Sequence, residues 1–113
     1  MLKSRISGSG FRLFARNFFL TYPRNETSKE EASKRIQDRY GQRLEWHLVA
    51  KEAHKDGGGH LHILLVFKRR FDCRNDREFD FICGKHCEIE KVKSKLASVR
   101  YCIKDGDYLA VGS

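Results

Sequence analysis

No apolar run in this 113-residue chain approaches the length that crosses a bilayer. Its start, Met1-Leu2-Lys3-Ser4-Arg5, leads into Gly and Ser rather than into the apolar core of a secretion signal. A membrane partner is therefore not expected, and an intracellular setting is. No Cys-x-x-Cys pair occurs among Cys73, Cys83, Cys87 and Cys102. Cys83-x-x-x-Cys87 with His86 between them is half of a zinc site with no second half, so reduced and mostly buried thiols are expected. Gly-x-x-x-x-Gly-Lys-[Ser/Thr] is missing too, which excludes a phosphate loop from this chain. There is no internal repeat and no low-complexity segment. Acidic residues are scarce, 15 against 23 basic ones, and the net charge of +8 points to a polyanionic partner. With 40% hydrophobic and 34% charged residues the composition is that of one globular domain.

The most informative stretch runs from Glu52 to Phe67. In its second half His60, His62, Leu64 and Val66 alternate with Leu61, Ile63, Leu65 and Phe67, the pattern of a strand with two imidazoles on one face. Trp46 to Glu52 reads as a partner strand, and Asp56-Gly57 with two further glycines as the turn between them. A hairpin centred near Asp56 places Glu52 opposite His60 and diagonal to His62, all on one face. Two imidazoles and a carboxylate suit a divalent ion and leave coordination positions open. His54 is a possible substitute ligand, and its turn position favours a solvent-exposed role. The plainer alternative makes His60 and His62 partly buried polar residues beside a solvated Glu52.

Residues 1–10 read as a flexible lead-in. Phe11 to Tyr22 reads as a central strand, with Phe11, Leu13, Ala15 and Phe19 on one side and Phe14, Phe18, Leu20 and Tyr22 on the other. Pro23 ends it. Thr27 or Ser28 caps a helix that carries Ala32, Ile36 and Tyr40 on its apolar stripe and stops at Gly41. Lys68-Arg69-Arg70 forms a basic triplet at a strand end, followed by a polar loop over 72–77. Short strands are expected at 78–82 and 86–90. The last regular element is a helix from about Val92 to Lys104, with Val92, Leu96, Val99 and Ile103 as its core stripe. Tyr101 lies off that stripe, with Lys104 one turn along. A surface tyrosine is one reading. The other is a nucleophile whose developing charge a lysine and a metal can balance, which makes Glu52, His60, His62, Tyr101 and Lys104 a workable set for phosphodiester transesterification.

Phe19-Leu20-Thr21-Tyr22-Pro23, His60-Leu61-His62 and Tyr101-Cys102-Ile103-Lys104 resemble, in order, the three motifs of the HUH endonuclease domain of rolling-circle replication initiators (Rep). The likeness is greatest to those of geminiviruses and related circular single-stranded DNA viruses and plasmids, and it extends to Glu52. The resemblance implies an α+β fold, a five-stranded antiparallel sheet flanked by helices of the RRM-like type, filling 11–113 as a single domain. By it Glu52, His60 and His62 would hold Mn²⁺ or Mg²⁺. Tyr101 would attack the phosphodiester of single-stranded origin DNA to give a 5′-phosphotyrosine and a free 3′-OH, Lys104 would assist, and reversal would rejoin the ends. The first motif would serve DNA binding and fold integrity. Arg12, Arg16, Tyr22, Arg69 and Arg70 are the candidate nucleic-acid contacts. Partners would be a stem-loop origin and double-stranded origin repeats, with oligomerisation reserved for a longer protein that also carries a helicase domain. A viral source would place it in the host nucleus, a bacterial plasmid in the cytoplasm. The stretch from Glu78 to Glu90 follows the geminivirus pattern only loosely, which leaves origin preference open. The competing class is a non-catalytic RRM-like module that binds single strands through Phe14, Phe18, Arg12, Arg16 and Arg69. It explains the charge and leaves the Glu-His-His set and Tyr101 without a role.

Overall fold

The computed structural model describes residues 10–53 and 59–112. The lead-in, His54 and the Asp56 turn lie outside the described residues. Five strands form one antiparallel sheet in the order β4-β1-β3-β2-β5: β1 Leu13–Tyr22, β2 Leu44–Ala53, β3 Gly59–Cys73, β4 Glu88–Lys91 and β5 Tyr108–Gly112. Helix α1, Lys29–Tyr40, joins β1 to β2, and helix α2, Lys95–Ile103, joins β4 to β5. The fold is the expected α+β, RRM-like HUH type.

The two helices cover opposite faces of the sheet. Ala32, Ile36 and Tyr40 of α1 pack with Phe18, Leu20, Tyr22, Leu61, Ile63, Leu65 and Phe67. Val99, Cys102 and Ile103 of α2 pack with Leu48, Ala50, Leu64 and Val66. The alternation read along 60–67 is thus the division between the two cores. The α1 side is rich in aromatics: Phe18 meets Phe67 and Phe71 edge-on at 5.8 and 5.9 Å, and Phe67 stacks on Phe71 at 4.6 Å. Truncating fully buried Phe18 to Ala would cost about 3–5 kcal/mol. Ser28 caps α1 by accepting the Glu31 amide at 3.0 Å, and Gly41, at φ 50°, supplies the left-handed residue that stops it.

Several elements differ from expectation. The pairing of β1 with β3 shifts register between Ala15 and Asn17. Two residues of β1 there span the interval that five residues of β3 cover, from Phe71 to Val66, and the alternation of β1 reverses, so Leu13 and Ala15 share the inner face with Phe18, while Phe14 turns to the other face and stands 47% exposed. Strand β3 continues through Lys68-Arg69-Arg70, because Phe71 and Cys73 still find apolar cover beyond the triplet. The segment 78–82 is no strand: Phe79 and Ile82 both turn inward, three residues apart, around a 3-10 turn at Asp80–Ile82. Strand β4 begins two residues later than expected, at Glu88. Helix α2 begins at Lys95, capped by the Ser94 hydroxyl on the Ala97 amide at 3.2 Å. Val92 therefore precedes the helix, Leu96 is 60% exposed, and Cys102 takes the inward position. The helix is not the last element, since β5 follows and pairs with β2. Cys73, Cys87 and Cys102 are buried, Cys83 is half-buried, and His86 turns outward onto Asp80 at 3.0 Å.

Candidate active site

The hairpin register is the expected one, with Glu52 on β2 directly opposite His60 on β3 and Ala50 opposite His62. Lys51 Nζ donates to the carbonyls of Asn25 and Thr27 at 2.9 Å each, and the Asn25 amide donates to Gly59 O at 2.9 Å. The β1–α1 connection is thereby tied to the residue just before His60. Ligand atoms of Glu52, His60 and His62 all lie within 4.8 Å of one another. The His62 ring, with only 6% of its side chain exposed, places Nε2 2.7 Å from Glu52 Oε1. Its Nδ1 lies 3.3 Å from the hydroxyl of Thr21, the residue paired with it across β1 and β3.

Helix α2 brings the other members. The Tyr101 hydroxyl donates to Glu52 Oε1 at 3.2 Å, and Lys104 Nζ donates to Glu52 Oε2 at 2.7 Å while lying 4.6 Å from the Tyr101 ring centroid. Phe19 stacks on His62 at 5.6 Å and meets Tyr101 edge-on at 6.2 Å. The five expected residues therefore converge from three elements, and Phe19 and Thr21 join them.

Donation from Lys104, then from His62, holds the Glu52 carboxyl down at about 2, so it is ionised throughout the physiological range. Partial burial and, next, the Glu52 charge push the Tyr101 hydroxyl above its ordinary value, opposed by Lys104. Phenolate is thus scarce at rest. The donor set fits a divalent cation: two imidazoles that line a cleft of about 680 Å³ and an ionised carboxylate converge. Lys91, at the end of β4, and Lys93 and Ser94, from the turn into α2, line the same cleft.

The candidate nucleic-acid residues do not gather there. Arg12 pairs with Asp72 at 2.9 Å, and Arg16 with Glu45 at 2.9 Å and the Phe67 carbonyl at 3.1 Å. Arg12 and Arg70 flank the exposed Phe14 ring at 5.6 and 5.5 Å from its centroid. Arg69 borders a separate depression of about 250 Å³ floored by Phe67 and Phe71. Phe14 pairs with Asp72 and Thr21 with His62, so this basic end lies seven residues back along β1, roughly 23 Å, from the cluster. Tyr22 is a correction: its ring is fully buried and its hydroxyl donates to Phe79 O at 2.6 Å, which makes it a core residue with no surface for DNA. Thr21 was missed because its place beside His62 depends on which strand lies next to β3, and no local pattern states that.

A five-stranded antiparallel sheet bearing two histidines on its central strand and a glutamate beside them, between helices on both faces, defines an RRM-like domain of the HUH type. The chain belongs to the geminivirus Rep catalytic domain family, whose model matches residues 11–113. It is similar to the Replication-associated protein of Cabbage leaf curl virus (isolate Jamaica), 36% identical over 114 residues that cover 90% of this chain and 31% of that protein. The chain therefore spans about a third of the length of that relative.

Proposed function

We propose that this domain nicks and rejoins single-stranded origin DNA to initiate rolling-circle replication, with Tyr101 as nucleophile. The observation that carries the reading is the convergence of Tyr101 and Lys104 on Glu52, 49 and 52 residues away in sequence, beside two histidines. Membership of the Rep catalytic domain family supports it. A purely binding module has no use for that arrangement.

Glu52, His60 and His62 would hold Mn²⁺ or Mg²⁺, which supplies Lewis-acid polarisation of the scissile phosphate and withdraws charge from it. Tyr101 Oη forms a bond to phosphorus as the P–O3′ bond breaks. The phenol loses one proton and the departing 3′-oxygen gains one. A carboxyl held at about 2 is too weak a base to keep the phenol's proton, so Glu52 Oε1 serves to aim the hydroxyl and the proton passes to solvent. Lys104 places a fixed positive charge against the phosphate and the nascent phenolate. One phosphodiester is exchanged for another, so the 5′-phosphotyrosine retains the means of its own reversal, and the free 3′-OH primes synthesis. The partners are a stem-loop origin and, through the longer protein, duplex origin repeats and further copies of itself. The site of action is the host nucleus.

The test is a single-stranded origin oligonucleotide incubated with the domain, with and without Mn²⁺, analysed by denaturing gel and intact mass. A metal-dependent covalent adduct is expected from the native domain and none from Tyr101→Phe, which keeps the ring and should bind DNA as before. Cleavage by Tyr101→Phe at the native rate would remove Tyr101 from this role.

A further inference from the structure

The geometry points to Thr21 as a positioning residue for His62: its hydroxyl holds Nδ1 in either tautomer, so that Nε2 can exchange Glu52 for a divalent cation without the ring turning. This inference rests on the assignment of Glu52, His60 and His62 as ligands, and its test separates the two.

The His62 ring is held on its face and at both nitrogens, with Tyr101 edge-on to it at 5.1 Å. Phe19 lies nearly parallel to it, at 19° between planes, Glu52 Oε1 meets Nε2 at 2.7 Å, and Thr21 Oγ1 meets Nδ1 at 3.3 Å. Phe19 and Thr21 are two residues apart on β1 and share its outer face, while Leu20 and Tyr22 between and after them are fully buried in the opposite core. The same short stretch thus builds the fold with one face and the site with the other.

The hydroxyl is suited to the task by its chemistry. With Nε2 facing the Glu52 carboxylate, the neutral ring puts its hydrogen on Nε2 and offers its Nδ1 lone pair to the Thr21 O–H. When Nε2 offers its lone pair to a cation, the hydrogen must reside on Nδ1, and Thr21 Oγ1 then accepts it. A hydroxyl both donates and accepts. A carboxylate or a backbone carbonyl would favour one tautomer alone, and an aliphatic side chain would hold neither.

The experiment is calorimetric titration of Mn²⁺ into the native domain, Thr21→Val and Thr21→Ser, with thermal melts of each, and nitrogen spectra of histidine-labelled native domain with and without Mg²⁺. Thr21→Val is expected to bind Mn²⁺ about ten- to a hundredfold more weakly, the usual effect of losing an outer hydrogen-bond partner, and Thr21→Ser to bind nearly as the native domain. The spectra are expected to show the His62 hydrogen moving from Nε2 to Nδ1 on addition of Mg²⁺. Native affinity in Thr21→Val overturns the proposal, as does a Thr21→Ser variant as weak as Thr21→Val. Should Thr21→Val fail to fold, the spectra decide: a cation on Nδ1, or no change of tautomer, overturns it. Native protein that binds no Mn²⁺, indistinguishable from His60→Ala, overturns the ligand assignment and the role of Thr21 with it.

Discussion

Lys104 Nζ and Glu52 Oε2 lie 2.7 Å apart, so the carboxylate at the centre of the site is already shared with a fixed cation. A divalent ion arriving at Glu52 meets a like charge as its neighbour. On the proposed function, Lys104 would oppose metal binding and assist the chemistry.

Replacing Lys104 by Met should accordingly have effects of opposite sign. Mn²⁺ affinity is expected to rise several-fold as the competing ammonium is removed, while the rate of strand cleavage falls on the order of a hundredfold through loss of a group aimed at the developing charge. Calorimetry and single-turnover cleavage on the same preparation would show it. A loss of both together would make Lys104 a structural support for Glu52.

His62→Ala removes one ligand of three and empties a buried position. Metal affinity should drop at least about tenfold, and the rise in melting temperature that Mn²⁺ gives the native domain should disappear. An unchanged Mn²⁺-induced shift would move the metal away from this cluster.

His47 provides a stability signal with a definite sign. It is 1% exposed, its Nε2 lies 2.8 Å from the Ser33 hydroxyl, and burial lowers its titration to about 4. Because the folded value lies below the ordinary one of about 6.5, the unfolded chain binds more protons in between. Stability is fully present above about pH 6.5 and is lost as pH falls toward 4, by up to ~3 kcal/mol. Urea unfolding at pH 7 and pH 4.5 would measure this. The double variant Ser33→Ala/His47→Leu, which removes both polar partners at once, should flatten the dependence across that window.

Phe14 is expected to act as a stacking platform at the far end of the DNA path. A depression of about 300 Å³ lined by Phe14, Asn17, Arg70, Lys91 and Val92 adjoins the catalytic cleft, with Lys91 and Val92 common to both. Phe14→Ala should weaken binding of a long single strand about tenfold, a loss of ~1–2 kcal/mol for one stacked base. An oligonucleotide trimmed short of that end should bind both proteins alike, and fluorescence anisotropy with the two lengths compares them.

The convergence of Glu52, His60 and His62 was legible because it depends on one hairpin. Alternation in 60–67 gave the face, the glycines gave the turn, and together they put Glu52 opposite His60. Tyr101 and Lys104 were legible as residues with no packing duty, and what they face became clear only from the docking of α2. Phe14 was assigned to the wrong face because the register shift between Ala15 and Asn17 carries no mark in a run where every residue suits a strand. Tyr22 looked like a contact residue beside Pro23, yet its hydroxyl finds an acceptor inside the protein, at Phe79 O. Leu96 fits the helical stripe on paper, but the helix begins three residues late and turns Cys102 inward instead.

Strand β3 has its own consequence for how the two halves of the site move. From Leu61 to Val66 it is paired on one side with β1 and on the other with β2, and these residues divide between both cores. The amides of that stretch should exchange with solvent only on global unfolding, whereas the nine-residue α2, resting on a small apolar patch, can open by itself. The histidines are thus fastened to the slowest part of the molecule and the tyrosine to a faster one. On the proposed function, a nucleophile that must carry a DNA strand away from the phosphate's side and later return it would be mounted on an element that can open while the paired centre of the sheet stays closed.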